Sequence, residues 1–154
     1  MESRLDGRTF VKFHIDVGIG DVILEPVETI TTRDWLAFAE IPSPSVMMTT
    51  REQQFAEKIH AYTLPRSSPN SRVRDLVDLY LLIASGSLNL VLCAEALRRT
   101  FERRRTHGIP EELVPPQRIG VGRFVFLLTE ECRLHIGYRA AFDALLGFWN
   151  TLAR

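Results

Sequence analysis

The sequence predicts an α+β fold with strands first and helices after, on three observations. Residues 9–17 alternate apolar and polar side chains. Four later segments repeat apolar residues at helical spacing. Between them, residues 25–49 are rich in Pro, Thr and Ser. Strands clustered ahead of helices, rather than interleaved with them, define the α+β class. Two regions follow: 1–48, strands and a connector, and 49–154, a mainly helical domain.

The strand signal is Thr9-Phe-Val-Lys-Phe-His-Ile-Asp-Val17. Val11, Phe13, Ile15 and Val17 share one face, and Lys12, His14 and Asp16 the other. Period two with β-branched and aromatic residues reads as a strand. Gly18 and Gly20 mark a turn or bulge before a second short strand over 21–24. Two strands do not make a stable sheet alone, so they are expected either to pair elsewhere in this chain or to belong to a larger sheet whose other strands are missing. Residues 25–49 read as a long connection with one short element around Trp35, Leu36 and Phe38.

The helices are punctuated by caps and breakers. Thr49 to Glu52 has capping-box spacing, with Thr49 as N-cap, and opens a helix to about Thr63 with Phe55, Ile59 and Tyr62 inward. Asn70 or Ser71 caps the next, about 72–84, which stops at Gly86. Ser87 caps a third, about 88–105, with Leu90, Cys93, Ala94, Leu97 and Phe101 on one face. A Pro-rich loop covers 110–116, residues 124–128 fit strand or helix equally, and a last helix runs about 138–152.

Composition excludes several classes. Lys plus Arg equals Asp plus Glu at 19 each, so any nucleic-acid partner must be met by a local patch. The N-terminus has no apolar signal-peptide region, and no apolar run reaches the ~18 residues of a membrane span. Cys93 and Cys132 lack metal or redox spacing and read as buried free thiols of a cytoplasmic protein.

Four places can carry chemistry, each beside a plainer reading. Asp16 projects from a strand, where a carboxylate either ligates a metal or belongs to a solvated polar stripe. Lys58 falls about 60° from Phe55 on its helix. It either snorkels or aims a compact charge at a nucleotide phosphate. Asp75 and Asp78 are neighbours on a helix that is otherwise nearly all apolar, flanked by Arg72 and Arg74. Buried carboxylates need partners, so this is an ion-pair cluster or a site. Arg98, Arg99, Arg103, Arg104 and Arg105 cluster at a helix C-terminus, where cations are favoured anyway, or where they meet RNA phosphates.

Taken in order, Phe13-His-Ile-Asp-Val-Gly-Ile-Gly-Asp-Val, Phe55-Ala-Glu-Lys-Ile-His-Ala, Asn70-Ser-Arg-Val-Arg-Asp-Leu-Val-Asp-Leu and Thr100-Phe-Glu-Arg-Arg resemble the AbiEii/AbiGii family. These are nucleotidyltransferase-like toxins of type IV toxin–antitoxin systems. The resemblance runs from about residue 9 to 116 and more loosely beyond. It implies a nucleotidyltransferase core of mixed sheet and helices, then a helical domain. It also implies a nucleoside triphosphate substrate, Mg²⁺, a cognate antitoxin and, in some members, a tRNA acceptor. The family's AEK lysine falls on Lys58. Its RxKDxxD-type motif falls on Arg72, Arg74, Asp75 and Asp78, with Arg74 in place of lysine, and its strand carboxylate falls on Asp16. On this reading Asp78, Asp75 and Asp16 are catalytic, with Asp16 holding metal, and Lys58, Arg72 and Arg74 hold the nucleotide. Arg98, Arg99, Arg103 and Arg104 contact RNA.

The departure lies at the N-terminus. The family's Gly-Gly or Gly-Ser turn and metal-binding DxD pair should precede the Asp16 strand, and the eight residues before Thr9 hold Asp6 but no such pattern. The expectation is therefore a C-terminal part of such a toxin, inactive without those carboxylates. The other readings are a non-catalytic module that binds an antitoxin or a second copy of itself, and a structural domain whose aspartates only pair.

Overall fold

The computed structural model describes residues 1–15, 17, 23–67, 72–116, 121–126, 132 and 134–152. Its first element is a hairpin: β1 (Glu2–Leu5) runs antiparallel to β2 (Arg8–Lys12), with Glu2 opposite Lys12 and Leu5 opposite Arg8. The two residues between them, Asp6 and Gly7, have φ of 49° and 74°. A two-residue type I′ turn needs positive φ at both positions, and Asp-Gly is among the pairs that adopt it. The strand expected over 9–17 is realised only in its first part, as β2; residues 13–15 and 17 are not in a strand. Reciprocal hydrogen bonds between Met1 and Phe13 extend the ladder by one pair. Val11, Phe13, Ile15 and Val17, the apolar residues of the alternation, are all exposed.

The second strand expected at 21–24 is not formed in its described part. The Leu24 backbone N–H donates instead to Gln53 Oε1 at 2.8 Å, tying the connector to the first long helix. Residues 18–22, including Gly18 and Gly20, lie outside the described residues. The segment expected as a connection holds a second antiparallel hairpin, β3 (Glu28–Thr31) with β4 (Ser45–Met48). Thr29, Ile30, Thr31 and Val46 supply the β-branched residues that suit strands. The long excursion through a 3₁₀ turn at Ala37–Ala39 hides the pairing from a short-range reading. Among the described residues the two hairpins form separate two-stranded sheets. The fold is α+β.

Helix α1 (Arg51–Thr63) is capped by Thr50, one residue later than expected. Its hydroxyl accepts from the Gln53 N–H at 3.3 Å, while Glu52 turns away to accept the Asn89 N–H at 2.9 Å. Helix α2 (Val73–Ala84) starts with no side-chain cap; Asn70 and Ser71 lie outside the described residues. It ends at Gly86, whose φ of 66° reverses the chain. Helix α3 (Leu90–Arg104) is capped by Asn89, not Ser87, through bonds to the Val91 and Leu92 N–H groups. Its buried face is Cys93, Ala96, Leu97, Thr100 and Phe101, and Leu90 and Ala94 are exposed. The ambiguous segment at 124–128 is helical in its described part, as α4 (Val121–Phe126), with Phe124 buried. Helix α5 (Tyr138–Leu152) completes the bundle through Ala141, Phe142, Leu145 and Trp149.

The core runs from Phe55 to Trp149. Phe55, Ile59, Leu76, Leu79 and Leu145 are fully buried, and Phe55 meets Phe148 edge-on at 5.1 Å. Helix α1 packs on α2 and α3, and α2 on α5. The Pro-rich loop is pinned by Tyr62 to the Val114 carbonyl at 2.7 Å and by Tyr138 to the Pro116 carbonyl. Cys93 is a buried free thiol, pushed up to about 12 by burial; Cys132 is free but only half-buried.

Candidate functional site

The spacing that puts Phe55 and Ile59 in the core turns Lys58 to the edge of the α1–α2 contact. From there its ammonium reaches Asp78 Oδ2 at 2.5 Å and lies 3.6 Å from Asp75 Oδ1. Both acids project from α2, three residues apart. Asp75 is nearly buried and takes a second cation, Arg72 Nη1, at 2.9 Å on its other oxygen. Two carboxylates thus meet one ammonium and one guanidinium, and the cluster is neutral. Burial works to lower the Lys58 pKa, but the hydrogen bond and charge of Asp78, with Asp75 behind it, outweigh burial and raise it. Lys58 is therefore a fixed cation.

This lysine stands where two clefts meet. One, of about 840 Å³, is lined by Arg51, Glu57, Lys58, Asp78, Leu82 and Arg104 among others. The other, of about 420 Å³, is lined by Lys58, Arg74, Asp75, Asp78 and Cys132 among others. Lys58 and Asp78 belong to both. Arg74 is exposed on the second cleft. The structure therefore brings Lys58, Arg72, Arg74, Asp75 and Asp78 into one locality, while Asp16 lies outside the described residues.

The arginine cluster is largely engaged with acids of its own helix. Arg98 pairs with Glu95 and Glu102 at 2.9 Å each, and Arg99 with Glu95 at 2.5 Å. Arg104 reaches across to Glu57 of α1 at 2.5 Å and stands on the wall of the larger cleft. That pair was not anticipated from the sequence. Its only signal was Glu57 beside Lys58, on the same exposed edge of α1. Arg51, held by Ser87, was also missed.

A divalent cation finds no fit among the described residues. No group of three or more His, Cys, Asp or Glu converges there. The two carboxylates that do converge are already balanced by Lys58 and Arg72, whose charges a metal would have to displace.

Hairpins ahead of a helical bundle, with a charged cleft at the first interhelical contact, define an α+β protein. The chain belongs to the AbiEii nucleotidyl transferase toxin family: the family described as "Nucleotidyl transferase AbiEii toxin, Type IV TA system" matches residues 1–145. The match begins ahead of the resembling segments and takes in β1 and the Asp6-Gly7 turn. No curated protein matches the sequence. The family makes this a nucleotidyltransferase-like toxin and implies a nucleoside triphosphate, a divalent metal and an antitoxin partner. Among the described residues, no helix is long and apolar enough to cross a membrane.

Proposed function

We propose that this chain supplies the nucleotide-holding side of a nucleotidyltransferase site, with Lys58 as the ligand for the triphosphate. The supporting observation is the position of Lys58, clamped by Asp78 at 2.5 Å at the junction of the two clefts. An ammonium has three donors, so the clamp leaves at least one for a phosphate oxygen. Arg72 and Arg74 add positive charge on the same side. Asp75 orders Lys58 and Arg72 together. Asp78, the more exposed acid, would accept the proton of the attacking hydroxyl as pyrophosphate leaves, once metal-holding carboxylates complete the site. Asp16 remains the carboxylate that the family resemblance assigns to Mg²⁺, and no step here runs through it.

The acceptor in this reading is an RNA, of the tRNA class, approaching over Arg98, Arg99, Arg103 and Arg104. Arg98 and Arg99 are paired with the half-exposed Glu95 and the exposed Glu102, so phosphates compete for them at little desolvation cost. No Asp-X-Asp pair occurs in the 154 residues, so this reading has the chain bind nucleotide without transferring it. The site is cytoplasmic in this reading.

Calorimetric titration of the chain with each nucleoside triphosphate, with and without Mg²⁺, tests it. Saturable binding is expected, abolished in Lys58→Ala and weakened at least about tenfold, or about 1.4 kcal/mol, in Asp78→Ala. Absence of binding to the folded parent refutes the reading.

The exposed apolar side chains of the first hairpin support a second reading, in which the chain also binds its antitoxin or a second copy of itself through β2. Phe10 is 72% exposed and Val17 78%. Light scattering of the parent and of a Phe10→Ser/Val17→Ser variant tests this. A monodisperse monomer that an antitoxin binds equally in both forms ends it.

A further inference from the structure

Behind Arg104, the turn that follows α3 is held to α1 by a chain of hydrogen bonds whose proton order can be worked out. Thr63 Oγ1 donates to the Ile59 carbonyl at 2.9 Å, which uses its only proton. The same oxygen lies 2.9 Å from His107 Nε2, so that nitrogen must be the donor. In a neutral ring His107 Nδ1 is then a bare acceptor, and Thr106 Oγ1, 3.0 Å away, gives it a proton. That spends the Thr106 proton. His60 Nε2, 2.8 Å from Thr106 Oγ1, must therefore carry hydrogen and donate. His60 Nδ1 is left bare, and it is a buried atom without a hydrogen-bond partner among the described residues.

The other orders that satisfy the same distances need a cationic ring. A His107 cation donates Nδ1–H to Thr106 Oγ1, which then either donates to a bare His60 Nε2, leaving the His60 Nδ1–H orphaned, or accepts from His60 Nε2–H as well; a His60 cation orphans the same Nδ1–H. An orphaned buried donor is rarer in proteins than an under-satisfied acceptor. Each of these orders also places a charge among rings, with His60, His107 and Phe101 centred 4.8–5.0 Å apart. The groups acting on His60 are His107 on the turn and Arg104 on α3, with Glu57 of α1 pairing Arg104. Burial first, then the charges of His107 and Arg104, bring His60 down to about 4, and burial lowers His107.

We propose that His60, Thr106, His107 and Thr63 are positioning residues, a latch closed by two neutral Nε2–H imidazoles that fixes the turn after α3 and thereby sets Arg104 on the wall of the Lys58 cleft. Arg104 is the last residue of α3, two residues before Thr106, so the latch and the Arg104–Glu57 pair hold the same helix end against α1. The consequence for ligand rests on the nucleotide reading; the latch itself does not.

The experiment is two-bond ¹H–¹⁵N correlation on the full chain with labelled histidine at pH 7.5, beside triphosphate titrations of the parent, Thr106→Val and Thr106→Ser. Both rings are expected neutral with the proton on Nε2. Thr106→Val is expected to release His60 into a tautomer mixture, while Thr63 keeps the His107 proton on Nε2, and to weaken triphosphate binding severalfold; Thr106→Ser is expected to restore both the His60 tautomer and the affinity. His60 protonated on Nδ1, or a tautomer mixture in the parent, overturns the latch, and this reading holds even if Thr106→Val does not fold. An unchanged His60 tautomer in a folded Thr106→Val overturns it equally. Expected tautomers with unaltered affinity in Thr106→Val overturn the positioning role. Expected tautomers in a parent that binds no triphosphate refute the nucleotide reading, and the positioning role with it, while leaving the latch in place.

Discussion

The two hairpins and the helical bundle follow the same local rules and reach opposite states of burial. In the bundle, every inward stripe meets another: Phe55 and Ile59 of α1, Leu76 of α2, Phe101 of α3 and Leu145 of α5 close one core. In the hairpins, none of Glu2, Arg8–Lys12, Glu28–Thr31 and Ser45–Met48 is more than partly buried, and Phe10, Trp35, Phe38 and Met47 stand in solvent. Turn chemistry and alternation are enough to shape a strand pair. They do not provide what a sheet face needs to pack on. Stability should therefore reside in one region and local shape alone in the other.

The sharpest way to break this contrast is a matched pair of truncations. Phe55→Ala removes a fully buried ring and should cost about 3–5 kcal/mol of unfolding free energy by urea titration. Phe10→Ala removes a ring that is 72% exposed and should change it by no more than about 0.5 kcal/mol. Comparable losses would mean that the hairpin packs on something in solution, and the contrast would fail.

Acid sharpens the contrast next. His60 ionises at about 4 in the folded chain against 6.5 when unfolded, because its burial disfavours the cation. Above pH 6.5 both states are neutral at this ring and the stability is whole. As the pH falls from about 6.5 through 4, the unfolded chain takes up the proton first and stability drops. The loss is on the order of 3 kcal/mol. His60→Gln should flatten that slope in pH-dependent denaturation, and an unchanged slope would place the acid sensitivity elsewhere. The hairpin amides should not follow the transition.

How much was legible in the sequence follows the same divide. The helices were legible because their periodicity coincides with a core that this chain contains, so Phe55, Ile59, Tyr62 and Leu97 fell where expected. Cap positions slipped by a residue or two because adjacent candidates compete: Thr49 with Thr50, Ser87 with Asn89. Tertiary contacts decided both, since Glu52 was drawn off to the Asn89 N–H. β1 was missed although Asp6-Gly7 is a strong hairpin signal, because Glu2–Leu5 lacks an apolar alternation to accompany it. At the site, helical spacing made Asp75 and Asp78 neighbours, but the Lys58–Asp78 pair joins two helices and was not anticipated. The Glu57–Arg104 pair and the imidazole latch join residues 44 to 47 apart, and no local pattern announces such contacts.

The finest test of the divide uses two glycines. Gly7 turns the first hairpin at φ 74° and Gly86 ends α2 at φ 66°. A Cβ at either position would meet nothing within 4 Å, so alanine is opposed only by backbone strain. That cost is about 1 kcal/mol at each site. At Gly86 it should reach the whole bundle, because the turn sets where α2 stops and α3 begins. The melting temperature should fall by about 2–4 °C. At Gly7 the same strain should speed amide exchange across β1 and β2 and leave the melting temperature where it was. Equal shifts in melting temperature from the two substitutions would show that hairpin and bundle unfold as one unit, whatever their difference in burial.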